Sequence, residues 1–172
     1  FIFLIIFIIY NNKIILPLIT CFCAKWIFYC IYKIQFSNIP YRQGDERILH
    51  WNSISKSIES FGYNFLHTEI FRSGFYTTII GSLFKIFSTH SIHFVVSFNI
   101  ILSIIGLIYF YKLLKIFTNH DTAKLLTIIY SIYPFHIYFS ISVLREIIII
   151  TLLIISCYYF VKFIEKNKII YF

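Results

Sequence analysis

The sequence predicts an all-α, polytopic transmembrane helix bundle with interfacial helices in a long first loop. Three observations carry that reading. Of the 172 residues, 59% are hydrophobic and only 13% charged, against about 45–50% apolar and about 25% charged in a soluble domain. Apolar stretches recur at lengths near the roughly 20 residues that cross a bilayer, and they run apolar on all faces, unlike soluble surface helices. The charged residues gather in the connections between those stretches.

In chain order, residues 1–10 are apolar but too short to span. The chain starts at Phe1 and contains no Met, so this stretch reads as a cut span and the chain as a fragment. Asn11, Asn12 and Lys13 form a turn, and residues 14–36 form a full span. Lys25 falls near its middle, where a lysine must face other helices or reach along its stem toward the interface. Residues 37–90 are the long connection, opened by Pro40, which lacks an amide donor and constrains Ile39. Within it, Ile48, Trp51, Ile54 or Ser55, and Ile58 recur at helical spacing, which suits an amphipathic helix lying in the interface. Gly62 is expected to end that helix. Residues 75–87 are apolar but too short to span, and read as an interfacial or re-entrant helix. Further spans are expected over 91–111, over 125–140 with a kink at Pro134, and over 147–163. Residues 169–172 resemble the start of another. All of it forms one transmembrane domain.

The net charge is +8, but the basic residues do not form a patch interleaved with aromatics, so no nucleic-acid partner is expected. They follow the positive-inside rule instead. Lys13, Lys112, Lys115, Lys124, Lys162, Lys166 and Lys168 fall on one set of turns, assigned to the cytoplasm. The long connection and the Arg145-Glu146 turn then lie on the extracytoplasmic face of a multi-pass cell-membrane protein. That alternation requires residues 75–87 not to cross. Cys21, Cys23, Cys30 and Cys157 lie in apolar segments and read as small packing residues. Cys21-Phe22-Cys23 has the wrong spacing for a zinc site.

The most polar run is Gly44-Asp45-Glu46-Arg47, placed at a helix start where free amides and the dipole favour carboxylates. Taken alone, the pair fits an exposed N-cap as well as a catalytic group. Glu146, beside Arg145, caps the last span at the same boundary, and a charged turn is its plain alternative. A carboxylate at a membrane surface can take a proton from an attacking hydroxyl. Arg72, Lys85, His90, His93, Arg145 and His50 are the basic and imidazole groups available to hold a phosphate. Lys85, His90, His93, His50 and Trp51 also suit ordinary interfacial positions, and His136 reads as structural. His90 and His93 sit at i and i+3 with no third ligand nearby in sequence, a thin signal for a metal. No metal ligand and no cofactor is assigned, and a divalent metal is compatible with the acidic residues.

The ordered set Gly44-Asp45-Glu46, His50-Trp51, Gly74-Phe75-Tyr76, Leu83-Phe84, Tyr133-Pro134-Phe135-His136-Ile137-Tyr138 and Leu144-Arg145-Glu146 resembles the N-terminal half of the C-type membrane glycosyltransferases. That group includes the protein O-mannosyltransferases and the lipid A aminoarabinose transferase. The resemblance covers residues 37–164. It departs from the family at Gly74-Phe75-Tyr76, which lacks a proline often found there. It implies transfer of a sugar from a polyprenyl-phosphate donor to an acceptor hydroxyl at the extracytoplasmic face, with inversion. Asp45 would be the base, Glu46 its neighbour and Glu146 a second acidic residue near the acceptor. Membrane lipid and a lipid-linked sugar are the expected partners, the acceptor is not specified, and the fragment alone is expected to be inactive. The alternatives are a polysaccharide polymerase of the same membrane and a non-enzymatic transport or scaffold subunit.

Overall fold

A computed structural model describes residues 15–35, 44–58 and 75–166. The stretch 1–10, Gly62, Arg72 and residues 169–172 lie outside the described residues. Seven helices are present there: α1 (Ile15–Gln35), α2 (Gly44–Ile58), α3 (Phe75–Phe87), α4 (Ile92–Phe117), α5 (His120–Ser131), α6 (Pro134–Ile141) and α7 (Glu146–Lys166). There is no strand among the described residues. Three helices are long and apolar enough to cross a membrane, with apolar segments Pro17–Ile34, Ile92–Phe117 and Glu146–Glu165.

α4 is the central element and touches α1, α5, α6 and α7. It runs through Tyr111 and Leu114 to Phe117, so Lys112 and Lys115 belong to its last turns rather than to a loop. Ser91 caps its start by accepting from the His93 amide at 3.2 Å, relieving one of the free N–H groups of a first turn. α7 packs along α4 in parallel. Near one end Thr151 Oγ1 donates to the Leu102 carbonyl at 3.2 Å. Further along, Tyr109 meets the rings of Tyr158 and Tyr159 at 5.5 and 5.9 Å. The close approach depends on Gly106, where an added Cβ would come within 3.1 Å of Thr151 Oγ1. Small residues at such crossings let two backbones meet without a hydrophobic driving force. α1 runs antiparallel to α4, with Lys25 against Ser103 and Tyr29 against His93.

The stretch read as one span over 125–140 is two helices. Pro134 cannot donate an amide and holds Tyr133 in extended backbone, φ −60° and ψ 127°, so α5 stops and α6 starts with proline in its first turn. The break is filled by aromatic packing. Tyr130 lies between Phe110 and His136, each ring 4.5 Å away.

Lys25 is wholly enclosed by α1, α4 and the α5–α6 pair. It donates to Ser103 Oγ and hydrogen-bonds the Cys21 thiol one turn back, with His136 nearby. Ser103, Thr127, Ser131 and Ser140 are also buried, each returning its hydroxyl to a carbonyl on its own helix. Among the described residues no carboxylate pairs with Lys25. A bundle interior accepts such a group only where other polar atoms replace its hydration.

Candidate functional site

We call the end of the bundle that bears the N-termini of α4 and α7 the upper end. Lys112, Lys115, Lys124 and Lys162 lie toward the other. The C-terminal turns of α1, the α2–α3 pair and the α6–α7 connection all meet at the upper end, through contacts to His90, His93 and Asn99.

α2 and α3 pack against each other. α2 buries Leu49, His50 and Ser53, while α3 buries Tyr76, Thr77, Ile80, Gly81 and Phe84. Ile48 and Trp51, two members of the apolar repeat in the sequence, point outward together with Phe75, Ile86 and Phe87. These two members therefore do not mark the face that packs on α3, whereas Ile54 lies partly buried against the core. α3 closes with Ser88 at φ 50°, a left-handed residue after which the Thr89 amide donates back to the Phe84 carbonyl at 3.2 Å.

His50 is seated in this junction. Its Nε2 donates to the His90 carbonyl at 3.0 Å; an oxygen that can only accept fixes the proton on that nitrogen. Phe84 meets the imidazoles of His50 and His90 edge-on, at 5.8 and 5.6 Å. Burial pushes the His50 pKa below its ordinary value of 6.5, against the opposing pull of the carbonyl bond, and the neighbouring His90 adds to the depression. His93 is exposed on the first turn of α4, and its Nδ1 shares a hydrogen with the Tyr29 hydroxyl, the rings lying at 80°.

Glu146 is the first residue of α7, in the turn where the helix dipole favours a carboxylate. Its Oε2 is buried without a hydrogen-bond partner among the described residues. Arg145, beside it, is exposed, and among the described residues no ion pair links the two. Asp45 and Glu46 fall in the first turn of α2, but their side chains lie outside what is described, as does Arg72. Lys85 is exposed on α3. His50, His90 and His93 are thus brought to one end, with Glu146 at the same end of the bundle. No group of three or more metal-ligating side chains occurs among the described residues.

The sequence reading missed Asn99, Ser142 and Tyr29, and named Tyr76 only as part of a motif, without a role. Asn99 is fully buried and its Nδ2 donates to the Ser142 carbonyl at 2.7 Å and to the Tyr76 hydroxyl at 3.3 Å. The available signal was a lone amide inside the apolar run from Val95 to Ile108, a position that needs partners.

A family model described as dolichyl-phosphate-mannose-protein mannosyltransferase matches residues 75–172, more than half of the chain. The chain belongs to this family. It is a C-type membrane glycosyltransferase, and its all-helical architecture with membrane-length helices accords with that class. No curated protein and no solved structure matches it. The matched region takes in α3 through α7, including His90, His93, Arg145 and Glu146, and begins after α2 and its acidic pair.

Proposed function

We propose that the protein transfers a sugar from a polyprenyl-phosphate donor to an acceptor hydroxyl, at the extracytoplasmic face of a membrane it crosses several times. The family match over residues 75–172 is the observation that carries this reading. Its orientation draws support from Lys112, Lys115, Lys124 and Lys162, which share the lower end of the bundle; lysines at helix ends favour the cytoplasmic side.

In the proposed reaction Asp45 takes the proton of the acceptor hydroxyl as that oxygen attacks the anomeric carbon. The bond from that carbon to the phosphate oxygen breaks with inversion, and the lipid phosphate leaves with the electron pair. Glu46 supports Asp45, and Glu146, whose Oε2 has no hydrogen-bond partner among the described residues, faces the acceptor side. Arg72, Lys85, His90, His93 and Arg145 neutralise the phosphate as charge develops on it. His50 contributes by holding α2 to the α3–α4 connection, since its Nε2 proton is already given to the His90 carbonyl.

The test is Asp45→Asn in the full-length protein, assayed for transfer from a polyprenyl-phosphate sugar. Loss of a general base lowers turnover by about 100-fold or more, with donor binding retained. Unchanged turnover in a folded variant would remove Asp45 from the role.

A further inference from the structure

We propose that Asn99 is a positioning residue that ties the helix pair bearing Asp45 to the turn presenting Glu146. The inference rests on the reading of those two carboxylates as the acidic groups of the site.

Asn99 sits on α4 among Val95, Val96 and Ile100, all buried. An apolar residue would fill the same space without the desolvation that an enclosed amide incurs. What the amide adds is directional. The Ser142 carbonyl can only accept, so at 2.7 Å it must face Nδ2 and not Oδ1. This settles the orientation of the side chain and sends Nδ2 to the Tyr76 hydroxyl as well. Oδ1 is left buried without a partner among the described residues. One side chain thus joins three elements through hydrogen bonds: α3 at Tyr76, α4 itself, and the connection after α6 at Ser142.

Each joined element leads to a carboxylate. Tyr76 lies in the first turn of α3, which packs along α2, and α2 carries Asp45 in its own first turn. Ser142 opens the Ser142–Arg145 connection, and Glu146 follows it as the first residue of α7. Val143 and Leu144 in that connection are buried, at 1% and 5% exposure, so the segment is held inward at the point where Asn99 grips it. Asn99 therefore sets the placement of Glu146 relative to the α2–α3 pair while touching neither substrate.

The tie is tested without reference to catalysis by labelling. In full-length protein with Cys23, Cys30 and Cys157 replaced by Ser, Val143→Cys reports opening of the connection to a polar maleimide. Asn99→Asp keeps the shape but, when ionised, turns an oxygen on the Ser142 carbonyl. Asn99→Ala removes the donor without adding charge, and serves if the Asp variant does not fold. Either substitution should raise the labelling rate about tenfold, the worth of one buried hydrogen bond. Equal rates in Asn99, Asp and Ala proteins would overturn the tie. In transfer assays both variants should lower kcat and leave KM for the lipid-linked donor unchanged; a raised KM with intact kcat would overturn the assignment to Glu146. A parent protein that transfers no lipid-linked sugar would refute the enzymatic reading alone, because the labelling still judges what Asn99 holds.

Discussion

His50 and Lys25 are both titratable and both enclosed, and the surrounding chain handles them differently. Lys25 sits midway along α1, and its hydration is replaced by Ser103, Cys21 and the polar atoms around the α5–α6 break. His50 lies outside the membrane-length helices, where burial disfavours its cationic form. Because its folded pKa is below the unfolded value of 6.5, the contribution to stability is complete above that pH. As pH falls below 6.5 the unfolded chain takes up the proton first, and stability declines until the folded pKa is passed. We expect the thermal midpoint of the solubilised protein to drop between pH 7 and pH 5 by more than that of His50→Gln, which keeps a donor for the His90 carbonyl but does not titrate. Parallel pH curves for the two proteins would contradict this account.

At the scale of elements, the α4–α7 pair has little tolerance where it crosses at Gly106. Its parallel contact rests on Gly106 meeting the Thr151 backbone and hydroxyl, with the Cα only 3.6 Å from an added Cβ. Ala asks Thr151 to move by a few tenths of an ångström. Val adds two methyl groups where backbone stands in the way, and overpacking of that kind destabilises by about 1–3 kcal/mol. Gly106→Val should therefore lower the thermal midpoint clearly while Gly106→Ala changes it little, and Thr151→Ala should recover part of the loss by removing Oγ1, the nearest atom to the added side chain. The α5–α6 break follows a different rule: Pro134 ends one helix and begins the next whatever packs around it, and Tyr130 then fills the corner between Phe110 and His136.

At the scale of the whole molecule, the two ends of the bundle differ in chemistry. The upper end gathers His50, His90, His93, the Asn99 amide and Glu146 together with Lys33, Lys85 and Arg145, and the lower end gathers Lys112, Lys115, Lys124 and Lys162 together with His120 and Asp121. If the lower end is cytoplasmic, as proposed, single cysteines will sort by side. With Cys23, Cys30 and Cys157 replaced by Ser, Arg145→Cys should react with an impermeant maleimide in intact cells. Lys124→Cys should react only after the membrane is permeabilised. The reverse pattern would invert the proposed orientation and put the acidic residues inside.

The sequence by itself determined the all-helical membrane class, because apolar runs of membrane length and a charge content of 13% leave few other ways to satisfy a backbone in lipid. It also determined where the α5–α6 region must bend, since proline acts locally, and its ordered acidic and aromatic motifs pointed to the glycosyltransferase family. Only the tertiary structure decided that this bend separates two helices, that Lys25 is enclosed by Ser103 and Cys21, and that Ile48 and Trp51 face away from α3. It alone brought Asn99, Tyr76 and Ser142 together. Tyr76 and Ser142 lie 23 and 43 residues from Asn99 along the chain. Hydrogen bonds across such separations depend on how helices are placed against one another, which apolar periodicity does not encode.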